Sequence, residues 1–325
     1  MTMKAAVLHK IGETPKYEDY PDPKPKNEHE MVVHVKAAAI KNIEKMIANG
    51  SHYDAVDHLP MVMGFDGVAV TEDGRRVLAG SPNGMMAEKA VVPKGFVVPV
   101  PDELDDATAA SLFNAGISAW FALSWRGKIK QGDSVLIMGA TGVAGKMAVQ
   151  LARYFGATYV AAAGRDAEAL QRVSELGADE VISLAQSDEA LSKAFTTLAK
   201  NHPLNCVIDF IWGHPAEILL DALTGHDLEA DAHVTRYVQV GEMAGARISL
   251  AAATLRSAGI EMYGQGGGSV PKEEMGRLMT DIIPKLLQLA VEGKVKVDTE
   301  VVQLSDVEKV WSRSDLHGKR LVLIP

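Results

Sequence analysis

The sequence predicts an α/β protein in two parts: a β-rich, barrel-like unit, and a parallel, doubly wound sheet with helices on its faces. Three observations carry this. The chain has 325 residues, more than one core of ordinary size organises. Its first hundred residues hold short, Val-rich apolar runs broken by Pro and Gly. From Ser134 onward, short apolar runs alternate with amphipathic helical patterns, the rhythm of βαβ units.

The first part supplies strands at 4–8 and 31–37, separated by the proline-broken Pro21-Asp-Pro-Lys-Pro-Lys. Residues 68–71 and 76–79 flank Glu72-Asp73-Gly74, where Asp-Gly supplies a hairpin turn. Val91, Val92, Val97, Val98 and Val100 alternate with prolines and a glycine, which suggests a small barrel. A helix is predicted over 105–123, with Leu112, Ile117 and Phe121 at helical offsets. Strands then follow at 134–138, 159–163, 180–183, 206–210, 236–240 and 260–264. The helical patterns between them are 143–155, 167–176, 188–199, 215–223 and 250–257. A further helix is predicted over 271–291, then extended stretches at 299–303 and 320–324 that return to the first part.

The most informative stretch is Ser134-Val-Leu-Ile-Met-Gly139-Ala-Thr-Gly142-Val-Ala-Gly145. An apolar strand runs into three glycines spaced three apart, and a helix follows with Val143, Met147 and Leu151 on one face and Gly156 at its end. Each glycine has a separate task in binding a pyrophosphate. Gly139 permits the tight turn, Gly142 lets the phosphates reach the unpaired N–H groups of a helix N-terminus, and Gly145 lets helix and strand pack closely. A glycine triplet alone also serves as a plain packing turn; the strand before and the helix after make this the context of a Rossmann dinucleotide site.

The end of the second strand of this sheet discriminates between dinucleotides. An Asp or Glu there holds the ribose 2′-hydroxyl of NAD. Here the strand Tyr159-Val-Ala-Ala-Ala runs into Gly164-Arg165-Asp166. Arg165 offers a guanidinium fork to a 2′-phosphate, favouring NADP(H) over NAD(H). Two other readings stay open: a solvated Arg165, or Asp166 turned to the ribose.

Composition excludes several classes. The formal net charge is -9 and no Lys/Arg block occurs, so nucleic acid is not the expected partner. The single cysteine, Cys206, forms neither an internal disulfide nor a four-thiolate zinc site, and lies in a predicted core strand. The first residues do not read as a signal peptide, and no apolar run reaches the roughly 20 residues of a membrane span, so the default location is cytoplasmic with no membrane partner.

Several motifs in order give the chain a resemblance. They are Met3-Lys-Ala-Ala-Val-Leu; Pro60-Met-Val-Met-Gly64-Phe-Asp66-Gly67-Val; Asn114-Ala-Gly-Ile-Ser-Ala-Trp; Gly132-Asp133-Ser-Val-Leu-Ile; Glu175-Leu-Gly-Ala-Asp; and Gly318-Lys-Arg-Leu-Val-Leu. Together they resemble the zinc-free, quinone oxidoreductase-like branch of the medium-chain dehydrogenase/reductases. The resemblance implies a GroES-like catalytic domain over 1–121 and 267–325 and a Rossmann domain over 122–266, a homodimer paired near 260–264, and cofactor contacts from Asn42, Gly139, Ala140, Thr141, Gly142, Val143, Ala144, Gly164, Arg165, Val240, Gly241, Glu242, Gly266 and Gly267. It also bears on zinc. Where zinc-dependent members carry Gly-His-Glu, this chain has Gly64-Phe65-Asp66, and the early cysteine is absent. His52 and His58 share a loop without a common zinc spacing. The chain departs from many zinc-free members in having Lys41 and then Asn42 after Ile40, and Leu184 where others have an aromatic.

Without zinc, the expected substrates are quinones or α,β-unsaturated carbonyls, whose conjugation accepts hydride with little polarisation. Lys41 and Tyr53 are the candidate catalytic donors, with Asn42 beside them. The alternatives are an enoyl-thioester reductase and a non-catalytic NADP(H)-binding redox sensor. The loops at 50–59, 227–233 and 264–270 carry no legible specificity code.

Overall fold

The computed structural model describes residues 1–52, 58–224 and 233–325. The chain divides into two compact units: Met1–Asn114 with Gly276–Gly293 and Val297–Pro325, and Ala115–Met275 with Lys294–Lys296.

The first unit is built on β1 (Thr2–Leu8), β2 (Lys16–Pro21), β3 (Glu30–Ala39), β4 (Met61–Val62), β5 (Asp66–Thr71), β6 (Arg76–Gly80), β7 (Lys89–Pro93) and β8 (Val97–Pro99). Between β3 and β4 lies α1 (Asn42–Asn49). Successive side chains of a strand point to opposite faces, and β1 uses both. Met3, Ala5 and Val7 join a small cluster with Val62 and Ala87, while Ala6 and Leu8 join the main core with Val33, Val35, Met63 and Trp311. β5 and β6 form the expected hairpin, with Val70 opposite Arg76 and Gly74 at φ +84° in the loop.

The chain's end returns to this unit, as its sequence suggested. β15 (Thr299–Gln303) pairs in parallel with β16 (Arg320–Ile324), and β16 lies antiparallel to β3, with Val322 opposite Ala39. The resulting sheet runs β15-β16-β3-β5-β6-β8, with β7 also on β3; β2-β1-β4 form a smaller sheet. This is the GroES-like half of the fold.

The second unit holds β9 (Ser134–Met138), β10 (Tyr159–Gly164), β11 (Glu180–Ser183), β12 (Cys206–Asp209), β13 (Val234–Gln239) and β14 (Gly259–Gly264). They form one parallel sheet in the order β11-β10-β9-β12-β13-β14. The helices are α2 (Asp106–Phe121), which crosses the boundary between units along the chain, then α3 (Val143–Tyr154), α4 (Ala167–Glu175), α5 (Asp188–Asn201), α6 (Gly213–Ala222), α7 (Ala252–Ser257) and α8 (Lys272–Gly276). Strands covered on both faces read as unbroken apolar runs rather than alternating ones. Val135, Leu136, Ile137 and Met138 are accordingly all fully buried. On one face, Leu136, Met138, Ala161, Val207 and Tyr237 pack with Leu191 and Phe195 of α5 and Leu219 of α6.

Two predicted helices are interrupted. The pattern over 271–291 divides into α8, a wider π-type turn at Leu278–Ile282, and α9 (Ile283–Val291). Pro284 sits at the start of α9, and proline cannot donate the i→i−4 bond that a continuous helix requires there. α2 gives way at Ala122–Arg126 to a second π-type turn, closed by Gly127 N–H donating to the Ala122 carbonyl at 2.7 Å. The short helix α10 (Val307–Val310) precedes β16.

Candidate functional site

The parallel sheet changes direction of winding between β9 and β12, and ligands of such sheets lie outside the strand carboxyl ends at that point. The glycine turn is there. Gly139 leaves β9 at φ +81°, and its N–H and that of Ala140 both donate to the Ala163 carbonyl at 2.9 Å, tying the turn to the neighbouring strand. A Cβ on Gly139 would lie 2.7 Å from Ile211 Cγ2. A Cβ on Gly145 would lie 2.2 Å from the Gly139 carbonyl oxygen, so helix and strand approach as closely as only glycine permits.

Gly142 is different. It is the N-cap of α3, its backbone is extended at φ −77°, and no side chain caps it. A Cβ there would find nothing nearer than 3.5 Å. The chain itself does not demand glycine at this position; the open space before the Val143 and Ala144 amides does, if a phosphate is to approach them.

At the end of β10, Gly164 packs against Thr141: a Cβ on Gly164 would lie 2.4 Å from Thr141 Cγ2. Arg165 follows, exposed, with no hydrogen bond or ion pair among the described residues. Asp166 is committed elsewhere, since Oδ1 accepts the Ala169 N–H at 2.8 Å and caps α4. The carboxylate beside Arg165 therefore spends one oxygen on a helix end.

The third wall was not anticipated. Asp209 closes β12 fully buried; Oδ2 accepts the Tyr237 hydroxyl at 2.6 Å, and Oδ1 accepts the Ile211 and Trp212 N–H groups at 2.8 and 2.9 Å. Burial pushes the Asp209 carboxyl up, opposed by these bonds; burial and the Asp209 charge hold the Tyr237 hydroxyl well above its ordinary value. The clamp holds Trp212 at φ +55°, a region that L-residues rarely adopt. Val240 and Gly241 N–H donate to the Asp209 carbonyl, and a Cβ on Gly241 would lie 2.4 Å from the Phe210 carbonyl oxygen. In the sequence this clamp shows only as an acid after an apolar run, Cys206-Val-Ile-Asp209, which reads equally as a plain strand end.

The structure thus gathers Gly139 to Ala144, Gly164, Arg165, Val240 and Gly241 at the carboxyl ends of β9, β10 and β13, with Glu242 exposed just beyond. Gly266 and Gly267 follow the edge strand β14, where Gly266 N–H donates to Ser269 Oγ at 3.0 Å. These residues suit a dinucleotide: an open cradle at a helix N-terminus, and a guanidinium one strand away that has no partner among the described residues.

Lys41 and Asn42 belong to the other unit, and Tyr53 lies outside the described residues. Asn42 is exposed at the start of α1. Lys41 is neither solvated nor open to a ligand. Its side chain is 1% exposed, and Nζ lies 2.9 Å from both Glu44 Oε1 and Asp66 Oδ2. This corrects its expected role as a donor to substrate, because the ammonium is enclosed and already paired. Burial works against the ammonium, but Asp66 and Glu44 outweigh it and hold the Lys41 pKa above its ordinary value. Burial pushes Asp66 up, against the pull of Lys41, and lowers the Arg320 guanidinium. Arg320 is also buried, Nη1 donating to the Ile40 carbonyl at 3.0 Å, and its charge faces Glu44 and Asp66. Two cations and two anions thus join α1, β5 and β16 at one point.

Comparison with known proteins places this geometry. Residues 144–226 match the family model described as zinc-binding dehydrogenase. A probable NADPH-dependent quinone reductase from Emericella nidulans is 26% identical over 352 residues, covering 96% of each chain. The bovine (Bos taurus) quinone oxidoreductase-like protein 2 is 27% identical over 301 residues, covering 89% of this chain and 82% of its own. The quinone oxidoreductase of Thermus thermophilus, also solved with NADPH, superposes with a TM-score of 0.81 at 27% identity, covering 99% and 100%. These matches support a medium-chain dehydrogenase/reductase of the quinone oxidoreductase-like branch.

Zinc, which the family model's description implies, does not fit the residues present. Among the described residues no three His, Cys, Asp or Glu side chains are grouped to hold a metal. Phe65 offers a phenyl ring where a histidine ligand would stand, 40% exposed, beside the paired Asp66. Cys206 is buried in β12 of the other unit, its thiol pushed up to about 12 by burial. None of the described helices is long and apolar enough to cross a membrane.

Proposed function

We propose that this medium-chain reductase is an NADPH-dependent, zinc-independent oxidoreductase that reduces a quinone or an α,β-unsaturated carbonyl. The observation that carries the cofactor choice is Arg165, an exposed guanidinium without a partner among the described residues, beside an Asp166 that caps α4. A guanidinium matches the geometry and charge of a 2′-phosphate, whereas a helix-capping carboxylate is ill placed to take a ribose hydroxyl. The reduction of a quinone is supported by the Emericella nidulans, bovine and Thermus relatives.

The chemistry supplied by bound NADPH is hydride donation to the conjugated acceptor. The chain's part is to bind and orient. The α3 N-terminus and the Gly142 space receive the pyrophosphate, Arg165 the 2′-phosphate, and the Asp209–Tyr237 clamp fixes the turns at Trp212 and Gly241 toward the nicotinamide end. Tyr53 is the remaining proposed donor. Lys41 acts at a distance, by fixing the start of α1 and the Phe65-Asp66 strand entry. We also propose a homodimer formed through the open edge of β14.

The test is oxidation of NADPH and of NADH, followed by their near-ultraviolet absorbance, with a panel of quinones, enones and enoyl-CoA thioesters. Turnover of NADPH with a quinone or enone and little with NADH is the expected result. Binding of NADPH without oxidation by any acceptor would sink the catalytic reading, and activity confined to thioesters would replace the substrate class. Sedimentation at micromolar concentration reads the dimer.

A further inference from the structure

The ionic cluster of the first unit asks why a protein should bury a lysine between two carboxylates. Glu44 and Lys41 have side chains 0% and 1% exposed, and Asp66 3%. Asp66 Oδ1 is buried without a hydrogen-bond partner, as is Arg320 Nε. Buried carboxylates are tolerable only when a cation lies against them. Oxygen donors converging on one point are what hard divalent cations select. Here the point of convergence holds the Lys41 ammonium, 2.9 Å from an oxygen of each carboxylate.

We infer that Lys41 is the unit's own cation: its ammonium fills, from within the chain, the place between Glu44 and Asp66 where a divalent metal ion would sit, so that the native protein takes no metal there and removal of the lysine side chain creates a site for one. Truncating Lys41 frees the space of its stem and ammonium and leaves Glu44 Oε1 and Asp66 Oδ2 without their cation, the latter on a carboxylate whose Oδ1 already has no partner. Arg320 offsets one negative charge and the second is left for an added ion. The donor set is all oxygen, so the ion class is Mn²⁺ or Ca²⁺ rather than a thiolate-seeking metal.

The experiment is equilibrium dialysis of full-length wild type, Lys41→Ala, Lys41→Met and Lys41→Ala/Asp66→Asn against MnCl₂, with bound Mn²⁺ read by electron paramagnetic resonance and by elemental analysis. The expected result is about one Mn²⁺ per chain in Lys41→Ala, with affinity at least about tenfold above that of the other three proteins. Lys41→Met, which fills the space without charge, should take none. If Lys41→Ala does not accumulate in soluble form, refolding from urea with and without Mn²⁺ reads the same quantity: recovery only with Mn²⁺ supports the inference, and recovery equal in both, or in neither, overturns it. Uptake by Lys41→Ala no greater than by wild type also overturns it, as does stoichiometric Mn²⁺ or Zn²⁺ in wild type that Asp66→Asn removes. The inference shares with the proposed function only the absence of zinc. Its readout is metal, not turnover, so its failure leaves the quinone reading standing, and a protein inactive with every acceptor leaves the cluster's role untouched.

Discussion

The glycine turn of the second unit and the ionic cluster of the first treat charge in opposite ways. In the cluster, Lys41, Glu44, Asp66 and Arg320 are nearly excluded from solvent and their charges offset one another inside the protein. At the turn, the chain withholds partners: Gly142 carries no cap, and Arg165 stands exposed without one among the described residues. Charge satisfied internally builds architecture, because removing one member strands the others in a poor dielectric. Charge left unsatisfied at the surface costs little while water serves it, and is available to a ligand. Substitutions in the cluster should therefore be read in stability, and those at the turn in cofactor affinity.

The largest effect tests the closed side. Asp66→Ala leaves Lys41 facing Glu44 alone and Arg320 short of a partner, and should cost about 3–5 kcal/mol in urea denaturation. A loss below about 1 kcal/mol would mean that the cluster is solvated and the comparison fails.

Gly142→Ala tests the open side. Because a Cβ there meets nothing within 3.4 Å and φ is negative, unfolding should shift by less than about 1 kcal/mol. NADPH affinity should nonetheless fall about a hundredfold, roughly 2.7 kcal/mol, as the methyl enters the phosphate's approach. Equal affinity in titration calorimetry would show that the space is not the phosphate site.

The buried core of the second unit adds a pH dependence. Burial raises the Cys206 thiol from 9.0 to about 12, so the folded chain keeps a proton that the unfolded chain has already lost. Stability from this group is present below about pH 9 and declines as pH rises toward 12. Lys41 and Tyr237, also raised, act with the same sign. Between pH 9 and 10.5 the thiol's share is about 2 kcal/mol, and Cys206→Ala should lose correspondingly less of its urea midpoint over that interval. An unchanged slope would show that the thiol does not titrate as buried.

The smallest effect is the most specific. Arg165→Ala should weaken NADPH about tenfold, leave NADH unaltered and leave stability within about 0.5 kcal/mol. Parallel loss for both cofactors would assign Arg165 to general phosphate attraction rather than to the 2′-phosphate.

Much of this was legible in the chain because the signals are local. Residues 134–145 carry a strand, a turn and a helix start within one stretch, and each glycine's task follows from backbone geometry that any sequence with that spacing meets. The strands over 180–183 and 299–303 were legible to the residue for the same reason, whereas the helix over 271–291 was not. There the apolar period runs through Pro284, and the missing donor is absorbed by a wider turn that periodicity does not register. Lys41 and Asp209 were illegible for a deeper reason. A lysine beside an asparagine looks solvated, and an aspartate after three apolar residues looks like a strand end. What makes one a buried counter-ion and the other a clamp is the arrival of Asp66, Arg320 and Tyr237 from positions 25, 279 and 28 residues away.

The sequence by itself determined the βαβ half, the geometry of the glycine turn and the place of Arg165 just beyond a strand end, since each depends on residues a few positions apart and on the reach of a backbone. Only the tertiary structure decided which charges are sealed and which are left to a ligand. Burial is a property of what packs against a residue, and the free energy of a charge depends more on that environment than on the residue that carries it.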